Sequence, residues 1–139
     1  MNPFHLAIPV QNLDVMRKFY KEVLNCTEGR SSEKWVDFDL FGHQLVIHQK
    51  SDFEVSNKPL SNPVDGHDVP VPHFGLVLEW NQWTELAENL KAKQIEFVIE
   101  PYIRFEGQVG EQATLFFLDP ENNTLEFKAF KNMDQLFAK

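Results

Sequence analysis

The strongest restriction on how this chain folds is that it states one pattern twice. In each half a histidine stands at the head of an apolar strand, an amphipathic helix follows, and further strands come after it. In the first half FHLAIPV, residues 4–10, reads as a buried strand whose one polar interruption is His5. Asp14 is placed to cap VMRKFYKEVL. That run puts Val15, Phe19 and Val23 on one helical face, with Met16, Tyr20 and Leu24 one step round. KWVDFDLFG then alternates as a strand does, and HQLVIHQ reads as its hairpin partner. In the second half HFGLVLEW restates the histidine-headed strand and WTELAENLKAKQI the helix. IEFVIEP, ATLFFLDP and NTLEFKAF supply three more strands, with ENN as a turn.

Each half is therefore βαβββ, and a repeat of this kind implies that neither half completes a core alone. The expected fold is α+β: two βαβββ modules, with eight strands forming a curved, open, barrel-like mixed sheet around a shared cleft. The helices, near residues 13–24 and 82–92, pack outside. Residues 50–72 hold four of the eight prolines and little periodicity, so they read as a long connection. A single domain spanning 1–139 is expected, with module 1 at about 1–50, a linker over 51–70 and module 2 at about 71–132.

Bulk properties narrow the function. The 139 residues are enough for one core, and thirteen Phe with three Trp supply apolar bulk for it. A net charge of −8 without a Lys/Arg run disfavours nucleic acid and anionic membrane surfaces as partners. No apolar run approaches the roughly 20 residues needed to cross a bilayer. A lone cysteine, Cys26, and an N-terminus unlike a signal peptide point to the cytoplasm.

The polar exceptions to the repeat mark the candidate site. His5 and His73 hold matching positions on the first strands, and Glu126 interrupts the apolar pattern of the last. A single histidine at a strand end is usually only hydrogen-bonded or solvent-facing. It is the equivalence of the positions within a repeated module that makes a site of them. Two imidazoles and a carboxylate suit one divalent ion (Fe, Zn, Mn, Ni or Co) and leave coordination positions open for substrate or water.

FHLAIPVQNLDVMRKFYKEVLNC, PHFGLVLEWNQWTELAENLKAKQIEF and above all FFLDPENNTLEFKAF resemble the vicinal oxygen chelate superfamily, which includes glyoxalase I, extradiol dioxygenases, methylmalonyl-CoA epimerase, and fosfomycin and bleomycin resistance proteins. The resemblance implies metal ligands at His5, His73 and Glu126, and, by family habit, a homodimer. The family's fourth ligand position aligns with Val46, which cannot bind metal. Gln44 and His48 share its face by strand alternation, and His48 is the preferred fourth ligand. Extradiol enzymes carry a further acid-base His and a Tyr in the penultimate strand. Here that Tyr position falls on Phe116, and no His follows His73. In RFEGQVGEQATLFF, Glu111 is the candidate base, with Arg104 and Gln112, and Gln44 from the first half, as substrate contacts. The expected function is metal-dependent dioxygenase-like or lyase/isomerase-like enzymology on a small substrate chelated through adjacent oxygens. The alternative is a metal-independent binding protein that sequesters a small molecule or drug, as bleomycin resistance proteins do.

Overall fold

The computed structural model describes residues 1–55 and 60–139, in an α+β fold that divides into two compact units. One comprises Met1–Asn57 with Asp119–Asn122, the other Lys58–Leu118 with Asn123–Lys139.

The first unit runs β1 (His5–Val10), α1 (Leu13–Glu22), β2 (Thr27–Ser31), β3 (Trp35–Leu40) and β4 (His43–Gln49). Its sheet is ordered β1-β4-β3-β2, with β1 parallel to β4 and the other pairs antiparallel. Alternation sorts the side chains. Val36, Phe38, Leu40, Leu45 and Ile47 are buried with Leu13, Met16 and Tyr20 of α1, leaving Asp37, Gln44, Val46 and His48 on the opposite face. The buried helical stripe is thus Leu13, Met16, Tyr20 and Leu24, while Val15 is exposed. β1 is not the buried strand its composition suggests. It lies at a sheet edge and His5, Ala7 and Pro9 are exposed.

The cap of α1 is Asn12 rather than Asp14, its Oδ1 accepting from the Val15 N–H at 3.1 Å. A second cap comes from far along the chain. The buried Glu121 carboxylate accepts the N–H of Gln11 at 2.6 and 3.0 Å and that of Asn12 at 3.0 Å. The Tyr20 hydroxyl donates to Asp119 Oδ2 at 2.9 Å. Burial, then the Asp119 carboxylate, raises the Tyr20 phenol well above its ordinary value. Burial likewise pushes the Cys26 thiol up to about 12, so it packs as an apolar group.

The second unit contains β5 (Leu60–Val64), β6 (His67–Val71), β7 (Phe74–Leu78), α2 (Trp80–Ala92), β8 (Phe97–Arg104), β9 (Gln112–Leu118) and β10 (Thr124–Phe130). Strands β7–β10 form a second open sheet, ordered β7-β10-β9-β8, with β7 parallel to β10. Both modules are therefore βαβββ, and neither four-stranded sheet closes on itself. β5 and β6 add a separate two-stranded ribbon inside the stretch expected to be pure connection. Asp65-Gly66, both at positive φ, make its two-residue turn. Pro63 and Pro70 obscure the ribbon in the sequence, yet a two-stranded ribbon is all edge and tolerates a missing N–H.

The helix α2 begins two residues before the expected start. Glu79 and Gln82 form a capping box there, Gln82 Oε1 accepting the Glu79 N–H at 3.3 Å. Its buried Trp83, Leu86 and Leu90 accompany Leu115, Phe117, Leu125 and Phe127 of the sheet, and Trp83 Nε1 donates to the Phe127 carbonyl at 2.8 Å. Gly75 lies opposite Glu126 in the parallel pair, and a Cβ on it would stand 1.6 Å from the Glu126 carbonyl oxygen. Only glycine permits that approach of β7 to β10.

Candidate metal and substrate site

The face of the second sheet away from α2 carries the densest chemistry. Tyr102 and Arg104 of β8, Thr114 and Phe116 of β9, and Glu126 and Lys128 of β10 line a cavity of about 190 Å³ with His73, and the ribbon adds Val64 and Val69. His73 Nε2 lies 3.1 Å from Glu126 Oε2; the two side chains are 29% and 13% exposed. The other carboxylate oxygen, Oε1, accepts from the Thr114 hydroxyl at 2.8 Å and lies 3.4 Å from Lys128 Nζ.

The protonation pattern of His73 follows from its other nitrogen. Nδ1 stands 2.6 Å from the Pro70 carbonyl oxygen, which can only accept, so Nδ1 carries a proton. Nε2 faces the Glu126 carboxylate, donating to it from an imidazolium or turning a lone pair toward it from the neutral ring. Two electron-rich atoms at that separation require positive charge beside them, supplied by a second ring proton or by a cation. Nδ1 bonded to a carbonyl is also how metal-binding imidazoles are commonly oriented. An imidazole nitrogen and a carboxylate side by side are donor types that suit a divalent ion, while Lys128 is the cation already beside them.

Arg104 and Lys128 put two cations into this cavity on an acidic chain. Arg104 is paired with Asp65 at the tip of the ribbon and lies over the Phe105 ring at 5.0 Å. Its buried Nε has no hydrogen-bond partner among the described residues. His67 stacks on Tyr102 at 4.8 Å. The Tyr102 phenol is raised above its ordinary value by burial, against the opposing Arg104 charge.

In the first unit His5 heads β1 directly opposite Gln44. His5 Nδ1 is 2.6 Å from Gln44 Oε1, and Gln44 Nε2 donates to Asp37 Oδ2 at 3.2 Å. Val46 lies in register with Ala7, the counterpart of Gly75 opposite Glu126, so Val46 and Glu126 are structural equivalents. Among the described residues no group of three or more His, Cys, Asp or Glu side chains stands gathered for an ion.

Three of the expected site residues sit elsewhere. His48 pairs with Pro9, four residues along β4 from the partner of His5, or about 13 Å at strand spacing. That separation removes it from any ion held by His5; its ring instead neighbours Trp35 at 6.4 Å. Glu111 is no base beside the pair: Oε2 accepts the Gly107 N–H at 3.1 Å and ties down the β8–β9 loop. Gln112 is buried at the far end of β9, its amide donating to the Gly110 carbonyl at 3.4 Å, in a second cavity with Phe130 and Leu136. Arg104 does line the cavity of His73 and Glu126.

Lys128, Thr114 and Tyr102 are the residues that sequence reasoning missed. The signal for Lys128 was available: it stands two residues after Glu126, hence on the same face. Thr114 follows from the same count that puts Phe116 opposite Glu126, a pairing the structure shows directly.

The family model for the glyoxalase/bleomycin resistance protein/dioxygenase superfamily matches residues 3–127. The chain belongs to that superfamily. A solved glyoxalase/bleomycin resistance protein/dioxygenase from Alicyclobacillus acidocaldarius is 34% identical, with 98% of this chain and 96% of that one covered and a TM-score of 0.76. The glyoxalase fold is also shared with the fosfomycin resistance protein FosX of Listeria monocytogenes (18% identity, 97% of each chain, TM-score 0.67). Lactoylglutathione lyase of Agrobacterium tumefaciens is a third such structure (15% identity, 99% and 97% covered, TM-score 0.64). No curated protein matches the sequence. No helix among the described residues is long and apolar enough to cross a membrane.

Proposed function

We propose that this superfamily member is a divalent-metal-dependent enzyme acting on a small anionic substrate, with His5, His73 and Glu126 as the ligands. The observation that carries the reading is the His73–Glu126 pair, with Nε2 of a ring anchored at Nδ1 by Pro70 lying 3.1 Å from the carboxylate. A bound ion would supply Lewis acidity toward adjacent substrate oxygens. The protein's own part is to hold His73 through Pro70, to orient Glu126 through Thr114, and to offer Arg104 and Lys128 to a substrate anion. An entering carboxylate or phosphonate competes with Asp65 for Arg104, so the ribbon and the substrate share one cation.

Among reaction classes, group addition, elimination or isomerisation fits better than ring cleavage. The residue paired with Glu126 is the apolar Phe116, which can neither give nor take a proton. Superfamily neighbours that are a lyase and a fosfomycin resistance protein are in keeping with this.

Metal content tests the proposal. Protein purified without added metal should contain close to one transition-metal ion per chain by plasma mass spectrometry, and His73→Ala should lose it while keeping its circular dichroism. Metal-free protein that still binds small molecules tightly, unchanged by His73→Ala, would replace this reading with sequestration.

A further inference from the structure

We propose that Asp37, acting through Gln44, sets the tautomer of His5. Three side chains of the first unit form the relay. Asp37 is 8% exposed on β3, and its carboxylate only accepts hydrogen bonds. Gln44 Nε2 donates to Asp37 Oδ2 at 3.2 Å, and Arg30 Nε lies 3.9 Å from the same oxygen. With its NH2 group committed to Asp37, the Gln44 amide has one orientation, and its oxygen is the atom 2.6 Å from His5 Nδ1. An amide oxygen cannot donate. His5 therefore carries its proton on Nδ1 and its lone pair on Nε2.

This is the tautomer in which the Pro70 carbonyl holds His73, achieved by a different device. The exposed His5 ring has no backbone carbonyl assigned to it, and the free imidazole prefers the opposite tautomer, with the proton on Nε2. Without Asp37 the Gln44 amide is free to turn over and present its NH2 group to the ring, which reverses the tautomer. Asp37 is a positioning residue that need not touch substrate or ion. Its importance for ion binding rests on the proposed function, while the tautomer assignment does not.

The test is two-bond 1H–15N NMR of the metal-free full-length chain, at a pH above imidazole protonation, combined with Co2+ titration of the same samples. The expected result is the Nδ1–H tautomer for His5 in the wild type. Asp37→Leu should shift the ring toward Nε2–H and weaken Co2+ binding by about 10-fold or more. Asp37→Asn, whose amide oxygen still accepts from Gln44, should recover both. If Asp37→Leu fails to fold, Gln44→Leu makes the same measurement by deleting the acceptor itself. A wild-type His5 with its proton on Nε2, or a tautomer unchanged in both leucine variants, overturns the proposal. A wild type with the assigned tautomer that binds no Co2+ overturns the metal reading instead and leaves the Asp37 relay standing.

Discussion

The two halves of this chain place a histidine at the same point of the same module and secure it by unlike means. His73 gives its Nδ1 proton to a backbone carbonyl three residues earlier, whereas His5 depends on a relay of two side chains from neighbouring strands. The helices repeat the contrast. The start of α2 is capped by its own Glu79 and Gln82, while that of α1 receives Glu121 from 110 residues along the chain. The second module relies on local and backbone devices, the first on side chains brought from a distance. A backbone carbonyl survives nearly any substitution, so each side-chain device should fail at a single position where its counterpart does not.

The largest effect should come at the one place where the second module is the more fragile. Gly75 and Ala7 are equivalent, and only Gly75 has the backbone of the opposing strand where a Cβ would go. Gly75→Ala must push β7 from β10 at Glu126 and should cost about 3 kcal/mol, at the upper end of overpacking penalties. Ala7→Gly, by contrast, should cost about 1 kcal/mol through backbone entropy alone. Urea unfolding measures both. Equal midpoints for the two variants would show that the close approach at Gly75 is relaxed in solution.

The caps give the next test. Glu121→Ala removes a buried carboxylate from the N–H groups of Gln11 and Asn12 and should lose about 2 kcal/mol. Gln82→Ala removes one long hydrogen bond of the α2 capping box and should lose about 0.5 kcal/mol. A Gln82→Ala loss as large as that of Glu121→Ala would erase the contrast between local and distant capping.

The same contrast explains what could be read from the sequence. The βαβββ repeat, the helices and the equivalence of His5 with His73 were legible because periodicity is a local property. So was Phe116 opposite Glu126, since a hairpin register is a count across a short turn. Glu121 as a cap of α1 was not, because a side chain that acts 110 residues away leaves no pattern near the helix, whereas Asn12 was a local capping signal passed over for Asp14. Glu111 was chosen for its company of glycines, yet those glycines only let its carboxylate close its own loop. His48 failed on distance: alternation identifies a face but does not say how far along it a ligand can reach. The ribbon over 60–71 was hidden by prolines that are harmless at an edge. The proposed ligand set came from the repeat, while the cations Arg104 and Lys128 beside Glu126 belong to one cavity only because β8 and β10 are both bonded to β9.

The smallest effect concerns a pH-dependent ion pair among the side-chain devices of the first module. Glu28 is gripped by Arg17 through two 2.6 Å hydrogen bonds, with Lys21 Nζ at 3.4 Å, and this Arg17 contact lowers its carboxyl from 4.5 to about 2. Because the folded value lies below the unfolded one, the unfolded chain takes up the proton first as the solution is acidified. The stabilisation is complete above pH 4.5 and disappears as the pH falls toward 2. Arg17 and Lys21 are 35% and 51% exposed, so solvent screening holds the contribution below about 1 kcal/mol. Arg17→Met should therefore lower the urea midpoint slightly at pH 6 and flatten its fall between pH 4.5 and 2 relative to the wild type. Parallel curves for the two proteins would mean that the bidentate grip adds nothing in solution.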